Sequence, residues 1–258
     1  MQRFKVNGVE LACVESGSGE PLVLLHGGNA DRCQFDVFRP LLGPGIRAIA
    51  YDQRDSPDSP CDPVAYTADD HARDAAALIE ALGFEMAHVM GTSYGGIVAM
   101  TLAIQHPRRV KSLVLGATAP AISLFQVPDM AAIRMQGPEA VERFMLGTVV
   151  SPDVIDTDAV LVAETRAALR IRSQESLTRR MSAVARHDVR ERLGEIGAPT
   201  LILHGDEDPI VLTDAATLMA DRIPGARLHM LHGSRHGITF QHRQRTADLV
   251  RSFVLSHA

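Results

Sequence analysis

Residues 91–96 read GTSYGG, a G-x-S-x-G pattern followed by one more glycine. Residues 87–90 (AHVM) before it are mostly apolar, and residues 97–104 (IVAMTLAI) after it have the composition of a buried helix. This order predicts a strand, a sharp turn and a helix, the setting in which the central serine of the pattern becomes an exposed nucleophile. Small neighbours are needed because such a serine adopts a strained backbone conformation. Ser93 is therefore the candidate nucleophile.

The pattern alone has a second interpretation, because glycine and serine are common in ordinary tight turns. A serine hydroxyl also reacts poorly at neutral pH unless a histidine accepts its proton and a carboxylate orients that histidine. The rest of the chain must supply both groups if Ser93 is a nucleophile.

A candidate carboxylate follows a predicted buried strand at residues 198–205 (APTLILHG). The acidic turn directly after this strand contains Asp206, Glu207 and Asp208. We favour Asp208, which comes just before a proline, as the acid that orients the histidine. Asp206 is the candidate for capping or solvating the turn.

The chain has eleven histidines, and their local context separates one from the others. His229 lies in a predicted strand, His232 precedes the next loop, and His242 lies in the predicted last helix. His236 lies in the middle of that loop, between small or flexible neighbours that let an imidazole reach a serine. A histidine is usually structural or solvated, but the chain order of serine, aspartate and histidine favours catalysis for His236.

An acyl-transfer reaction also needs hydrogen-bond donors for the oxyanion of its tetrahedral intermediate. Residues 21–25 (PLVLL) are typical of a buried parallel strand, and they lead into HGGN at 26–29. Glycines there allow backbone N–H groups to approach a ligand closely. The candidate donors are the N–H groups of Gly28 and Tyr94, with Asn29 as a third. An ordinary glycine turn is the alternative, whereas a phosphate loop is disfavoured because no G-x-G-x-x-G follows the strand.

Five motifs are shared with a known family: HGG at 26–28, YDQR at 51–54, GTSYGG at 91–96, GDEDP at 205–209 and the loop around His236. On these motifs the chain resembles the α/β hydrolases of the short esterase, enol-lactonase and cofactor-free haloperoxidase type over nearly its whole length. The order of nucleophile, acid and base is also that of the family. The resemblance implies a Ser-His-Asp triad that works without a metal or an organic cofactor.

One stretch departs from the family pattern. Relatives usually read D-x-R-G-x-G-x-S after the fourth strand, whereas residues 52–59 here read DQRDSPDS, so that Asp55 and Pro57 replace both glycines. Proline fixes φ and lacks an N–H, and aspartate disfavours the positive φ that glycine tolerates. We expect this loop to take a different path or to accept strain, and we expect Asp55 to be structural. The alternative is that Asp55 reaches the pocket and orients a polar group of the substrate.

Predicted strands and helices alternate along most of the chain. A hairpin with its turn at Asn7 and Gly8 comes first. Later strands are predicted at residues 22–25, 46–51, 88–90, 110–115, 201–203 and 227–231. Helices are predicted at residues 34–42, 68–82, 94–105, 213–222 and 239–255. The alternation predicts an α/β fold with an eight-stranded, mostly parallel sheet flanked by helices and a small helical cap.

The cap is assigned to residues 121–197, a long interval of helical pattern between two predicted strands. In the family that the chain resembles, inserts at this point cover the active site, which implies a core of residues 1–120 and 198–258. Candidate substrate-binding residues are Asn29, Cys33, Phe125, Met130 and Phe144, and Met135 and Met145 complete the apolar set. A basic run with interspersed glutamates predicts a solvated helix face: Arg166, Arg170, Arg172, Arg179 and Arg180.

Composition excludes several classes of protein. The formal net charge of −5 does not favour nucleic acid or an anionic membrane as a partner. No apolar stretch is long enough to span a bilayer, and residues 1–5 alternate like a strand and lack an apolar signal core. The three cysteines fit no metal-ligand spacing and indicate reduced thiols in a cytoplasmic protein.

These features predict a serine hydrolase that cleaves a small, mostly apolar carboxylic ester or lactone through an acyl-enzyme on Ser93. The same triad would also suit a perhydrolase, a cofactor-free haloperoxidase or a hydrolase of C–C bonds. A third interpretation is a hydrolase-like receptor that binds its ligand without turnover. The complete set of Ser93, Asp208 and His236 argues against a receptor, because recognition does not need all three. The expected partner is a small-molecule substrate, and the sequence leaves open whether the chain forms a homodimer.

Overall fold

The computed structural model describes residues 1–126, 128–169 and 173–258. Its strands, in chain order, are β1 (Gln2–Val6), β2 (Val9–Gly17), β3 (Gly19–Leu25), β4 (Gly45–Tyr51), β5 (Ala87–Thr92), β6 (Val110–Gly116), β7 (Thr200–Gly205) and β8 (Arg227–Leu231). They form one eight-stranded sheet in the order β1-β2-β4-β3-β5-β6-β7-β8. The β1–β2 and β2–β4 pairs are antiparallel and the others are parallel, which confirms the predicted fold class.

The helices of the described residues are α1 (Ala68–Ala81), α2 (Tyr94–Gln105), α3 (Met130–Met135), α4 (Pro138–Val149), α5 (Pro152–Thr157), α6 (Ala159–Ala168), α7 (Gln174–Val184), α8 (Thr213–Arg222) and α9 (Arg243–Leu255). Apolar residues of α1, α2 and α8 cover one face of the sheet, and those of α9 cover the other. Along the chain, helices α3 to α7 all come after β6 and before β7. Among the described helices, none combines the length and the apolarity that crossing a membrane requires.

The central strands are buried on both faces. Every residue of β5 and of β7 is buried, which explains why these stretches are mostly apolar and do not alternate. The antiparallel hairpin at the edge turns at Asn7 (φ 45°) and Gly8 (φ 78°). Positive φ at both turn residues is the geometry that an Asn-Gly pair favours between strands.

Two helix predictions need correction. Residues 34–42 do not form an α-helix, because two 3₁₀ turns at Arg32–Phe35 and Arg39–Leu42 replace it. Pro40 lies within the second turn and cannot donate the backbone hydrogen bond that a continuous helix would need. The last helix begins at Arg243 and not at residue 239, because residues 237–240 form a turn in which the Phe240 N–H donates to the Gly237 carbonyl.

Candidate active site

Ser93 occupies the turn between β5 and α2, with φ 52° and ψ −118°. The Ser93 N–H donates to the Gly116 carbonyl of β6 at 2.9 Å, and the Thr118 hydroxyl donates to the Ser93 carbonyl at 2.8 Å. These two bonds hold the backbone in a region that residues other than glycine rarely adopt. The strained turn thereby exposes the Ser93 side chain beyond the carboxyl end of the sheet.

The glycines of the motif are required by close backbone approach. A Cβ atom on Gly91 would lie 2.2 Å from the Gly95 carbonyl oxygen, and one on Gly95 would lie 2.1 Å from the Leu25 carbonyl oxygen. Neither neighbour can move easily, since both atoms belong to the backbone. The sharp turn at Ser93 is therefore compatible only with glycine at these two positions.

The structure brings Ser93, His236 and Asp208 together. His236 Nε2 lies 2.9 Å from Ser93 Oγ, and His236 Nδ1 lies 2.8 Å from Asp208 Oδ2. When the Nδ1 proton is donated to the carboxylate, Nε2 is left as an acceptor that faces the serine hydroxyl. This arrangement allows His236 to take the proton of Ser93 while Asp208 orients the ring.

Asp208 is held in its charged form despite deep burial. Burial alone would raise the pKa of this carboxyl, but His236 and two backbone donors outweigh burial and lower it. The N–H groups of Ile210 and Val211 donate to Asp208 Oδ1 at 2.8 and 3.0 Å. One carboxylate oxygen is thereby committed to the turn, and the other remains for the histidine.

Asp206, the other candidate considered for the turn, does not reach His236. Its carboxylate accepts the Gly233 N–H at 2.8 Å and contacts the exposed imidazole of His232. Glu207 is exposed, and its N–H donates to the Ser234 carbonyl at 3.1 Å. Of these three acidic residues, the one that contacts His236 is Asp208.

The loop that carries His236 is anchored on the segment between β6 and β7. The His236 N–H donates to the Thr148 carbonyl and the Gly237 N–H donates to the Val149 carbonyl, each at 3.1 Å. A Cβ atom on Gly237 would lie 2.5 Å from the Val149 carbonyl oxygen, so this contact requires glycine. The end of α4 thus contributes directly to the placement of the histidine.

Gly28 and Tyr94, the two predicted oxyanion-donor residues, lie side by side. A Cβ atom on Gly28 would be 3.7 Å from Tyr94 Cβ. The neighbouring Gly27 N–H is committed elsewhere, because it donates to Gln34 Oε1 at 2.9 Å. Gln34 Nε2 in turn donates to the Thr92 hydroxyl at 2.8 Å, next to the nucleophile. The amide of Gln34 therefore links the glycine loop to the end of β5.

A second side-chain amide supports the same loop. The Gln53 N–H donates to His26 Nε2 at 3.2 Å, and Gln53 Nε2 donates to the His26 carbonyl at 2.7 Å. Gln53 belongs to the YDQR motif, so these bonds give that motif a physical role beside the HGG loop. Neither Gln34 nor Gln53 was predicted as a supporting residue, since nothing local indicates which backbone groups their amides meet.

A cavity of about 420 Å³ adjoins Ser93 and His236. Its wall includes four of the predicted substrate-binding residues, Asn29, Phe125, Met130 and Phe144, and also Met145. Helix α7 adds Leu177, Met181 and Val184. Among the described residues that form the wall, none is an aspartate, glutamate, lysine or arginine.

Two predicted lining residues lie elsewhere. Cys33 lies in the 3₁₀ turn after the glycine loop, with its N–H bonded to Asp31, and is not among the described residues of the cavity wall. Met135 ends α3 with 90% of its surface exposed. Cys33 was predicted from its nearness to the glycine loop and Met135 from its place in the cap interval, and neither determines the direction of a side chain at the end of a short helix or turn.

The predicted solvated basic face is wrong at its carboxyl-terminal end. Arg180 is fully buried, its guanidinium lies 4.6 Å from the centre of the Tyr94 ring, and Nη1 donates to the Arg54 carbonyl at 3.1 Å. Arg179 is 19% exposed and pairs with Asp55, whereas Arg166 is solvated as expected. The other two arginines of the run, at 170 and 172, lie outside the described residues.

Asp55 adopts the left-handed conformation, with φ 63°. This positive φ strains the backbone at Asp55, and the predicted difference in path from the relatives stays a prediction. Asp55 is not among the described residues of the cavity wall. Its carboxylate instead accepts hydrogen bonds from Arg179 and Tyr66.

Comparison with known proteins agrees with this geometry. The profile of the α/β hydrolase fold family matches residues 20–242. The chain is 29% identical to 2-hydroxymuconate semialdehyde hydrolase from Pseudomonas sp. (strain CF600). The alignment is 264 positions long, including gaps, and covers 96% of this chain and 91% of the relative. It is 26% identical to the pimeloyl-(acyl-carrier protein) methyl ester esterase of Aeromonas hydrophila, covering 92% and 96%.

A solved structure extends the comparison to three dimensions. The crystal structure of a hydrolase from Pseudomonas aeruginosa PA01 matches with a TM-score of 0.85 and 28% identity, covering 98% of this chain and 97% of that chain. Together with the sheet order and the turn at Ser93, these similarities assign the fold, and the relatives assign the general reaction class. The chain belongs to the α/β hydrolase fold family and is a hydrolase.

Proposed function

We propose that this hydrolase cleaves small, mostly apolar carboxylic esters or lactones through an acyl-enzyme on Ser93. The observation that carries the proposal is the continuous chain of short contacts from Ser93 Oγ through His236 to Asp208, 2.9 and 2.8 Å long. The apolar wall of the adjoining cavity supports a substrate whose acyl group is largely hydrocarbon.

In the first half of the reaction, Ser93 Oγ attacks the acyl carbon while His236 Nε2 accepts the serine proton. Asp208 stabilises the imidazolium that forms. Negative charge develops on the former carbonyl oxygen, and the N–H groups of Gly28 and Tyr94 are the proposed donors to it. The intermediate then collapses, and His236 gives its proton to the leaving alkoxide.

In the second half, water replaces the alcohol and repeats the sequence. His236 takes a proton from the water, and the resulting hydroxide attacks the acyl carbon bound to Ser93. Collapse of the second tetrahedral intermediate returns the proton to Ser93 Oγ and releases the acid. A lactone follows the same route, with the ring alcohol remaining attached to the acid.

We further propose that residues 121–197 act as a cap and that residues 1–120 and 198–258 form the catalytic core. Residues of this interval, including Phe144 and Leu177, form much of the described cavity wall. Because the same interval also holds the His236 loop through Thr148 and Val149, the cap contributes to catalysis as well as to selection.

Hydrolysis of a C–C bond is the second candidate function. It is favoured by the 29% identity to a protein named 2-hydroxymuconate semialdehyde hydrolase. The same triad would serve both reactions, so the triad geometry does not distinguish them.

A fluorophosphonate probe is expected to label Ser93 alone, because a serine paired with a general base reacts selectively with this electrophile. Labelled protein would be digested and mapped by mass spectrometry, with Ser93→Ala as the control that takes up no label. A folded protein labelled at another serine, or at none, would contradict the mechanism.

A panel of p-nitrophenyl esters, lactones and vinylogous diketones then decides between the two functions. Higher kcat/KM for the esters and lactones supports our proposal, and the reverse supports C–C hydrolysis.

Phe144→Ala is expected to lower kcat/KM for a medium-length apolar acyl ester by about 10- to 100-fold, because apolar contacts of this size are worth roughly 1–3 kcal/mol. The acetate ester, whose acyl group ends in a single methyl, should change much less. Met135→Ala is the matched control, since this methionine is 90% exposed. Equal effects of Phe144→Ala on both esters would argue against the role of the cap wall. A point substitution is preferable to removal of the cap, which would release the His236 loop.

A further inference from the structure

Helix α7 contacts two consecutive residues of the loop after β4. Arg179 donates to both carboxylate oxygens of Asp55, from Nε at 3.0 Å and from Nη2 at 2.8 Å. The Ser176 hydroxyl donates to the Asp55 carbonyl at 3.4 Å, and Arg180 Nη1 donates to the Arg54 carbonyl at 3.1 Å. Three side chains from about one turn of the helix therefore converge on one point of the core.

The Asp55–Arg179 ion pair is shielded from water. The side chain of Asp55 is 9% exposed and that of Arg179 is 19% exposed, and the Tyr66 hydroxyl also donates to Asp55 Oδ2 at 3.1 Å. Burial would raise the pKa of Asp55, but hydrogen bonds from Arg179 and Tyr66 outweigh it and lower the pKa. A two-point, partly buried contact between arginine and carboxylate is stronger and more directional than a surface ion pair.

The core side of this contact is itself rigid. Arg54, adjacent to Asp55, donates to Asp74 of α1 from Nε at 2.6 Å and from Nη2 at 2.8 Å. Asn7 of the hairpin donates to the same carboxylate at 3.2 Å. The docking point for α7 is therefore anchored to the sheet edge and to α1.

Backbone strain at Asp55 has a structural explanation in this contact. Its φ of 63° is unfavourable for aspartate, and glycine would adopt it without strain. Glycine would lack the carboxylate that binds Arg179 and Tyr66. A strained residue persists where surrounding contacts hold it, and at Asp55 these contacts connect the core to α7.

An adjacent face of α7 forms part of the substrate cavity. Leu177, Met181 and Val184 belong to its wall. Met181 Cε lies 3.4 Å from the position that a Cβ atom on Gly28 would occupy, so a side chain of the helix lies beside a proposed oxyanion donor. Any shift of α7 would therefore move the cavity wall relative to the reacting atoms.

We propose that Asp55 is a positioning residue that holds α7 through Arg179 and thereby determines which acyl groups fit beside Ser93. The inference rests on the proposed ester hydrolysis. Asp55 acts through the helix, because it does not belong to the described cavity wall. Its replacement of the family glycine thus adds a specificity-determining contact to this chain.

The test compares Asp55→Asn and Arg179→Gln with the wild type. Asparagine keeps a polar side chain and tolerates positive φ, so Asp55→Asn removes the charge while leaving the backbone preference largely unchanged. Glu175→Gln is the matched control, because Glu175 also binds Arg179, at 2.7 Å, but its side chain is 76% exposed. Thermal melts establish that each variant is folded, and if Asp55→Asn does not fold, Arg179→Gln carries the test.

The first readout is the ratio of kcat/KM for p-nitrophenyl octanoate to that for p-nitrophenyl acetate. We expect this ratio to fall by about 10-fold in Asp55→Asn and in Arg179→Gln. A variant with both substitutions should have a ratio close to that of either single variant, because the two residues act through one contact. The control should stay within about 2-fold of the wild type, since exposed ion pairs contribute little. A merely stabilising role would lower the melting temperature without changing the ratio.

The second readout is hydrogen exchange of the α7 amides, which does not depend on turnover. We expect exchange to rise by about 10-fold in Asp55→Asn and Arg179→Gln and not in the control, because the helix loses its anchor. An active enzyme with an unchanged ratio in both variants overturns the proposal, whatever the exchange shows. If Ser93 of the wild type is not labelled by the fluorophosphonate probe, the proposed function is overturned. If exchange of the α7 amides is then also unchanged in the two variants, the docking role of Asp55 is overturned as well.

Discussion

Ser93→Ala is expected to lower kcat for an ester substrate by about 10⁶-fold, and His236→Ala by a similar factor. The first variant removes the atom proposed to form the acyl-enzyme, and the second removes the proposed base, which lies 2.9 Å from that atom. We expect each variant still to bind substrate and to keep the proposed oxyanion donors. The residual rate should therefore exceed that of the uncatalysed reaction.

The double variant should be no slower than either single one, because a nucleophile and its base act as a unit. Steady-state hydrolysis of p-nitrophenyl acetate measures all three variants. His232→Ala is the control for the histidine, since His232 lies on the same loop with 93% of its side chain exposed. A double variant much slower than both single variants would mean that Ser93 and His236 contribute independently, contrary to the proposed triad.

Asp208→Asn is expected to lower kcat by roughly 10³- to 10⁴-fold. Asp208 Oδ1 accepts two backbone N–H groups, from Ile210 and Val211, so the amide oxygen of an asparagine would stay on that side. The amide NH₂ would then face His236 Nδ1 and donate to it. Histidine would carry its proton on Nε2, the atom that must accept the proton of Ser93.

Asp206→Asn is the matched control for this variant, because both residues belong to the same turn. Asp206 binds Gly233 and His232 and makes no hydrogen bond to His236. Its loss should affect stability more than turnover, and kcat should change by less than about 10-fold. Comparison of kcat for the two variants, with thermal melts to verify folding, identifies the acid. A larger loss for Asp206→Asn than for Asp208→Asn would refute the assignment of Asp208.

Features that depend on neighbouring residues in the chain were predictable from the sequence. The turn at Ser93 follows from the adjacent glycines, because no other residue fits the approach of Gly95 to the Leu25 carbonyl. The Asn7-Gly8 hairpin follows from the positive φ that both residues tolerate. The boundaries of α2 and α8 agree with the predicted ones.

Sequence order also indicated the residues that meet at the candidate site. Parallel strands end at the same edge of a sheet, so residues that follow β5, β7 and β8 come close together there. The prediction of Ser93, Asp208 and His236 came from their order in the chain and from the loop around His236, and the structure brings the three side chains within hydrogen-bond distance. Chain order did not distinguish Asp208 from Asp206, because both follow the same strand.

Long-range contacts between polar side chains could be recognised only in the tertiary structure. Gln34 reaches back to Gly27 and across to Thr92, and no local pattern specifies the partner of an amide. The helix predicted at residues 34–42 is wrong in the same part of the chain. Two short 3₁₀ turns take its place.

The sequence by itself determined the class of fold, the turn that presents Ser93 and the order of the proposed triad, because each depends on local backbone preferences or on strand order. The tertiary structure decided that the end of α4 holds the His236 loop, that Arg180 is buried against Tyr94, and that Asp55 binds Arg179 across 124 residues of chain. Periodicity identifies which residues share a face of a helix. Which surface that face meets depends on how the whole chain packs.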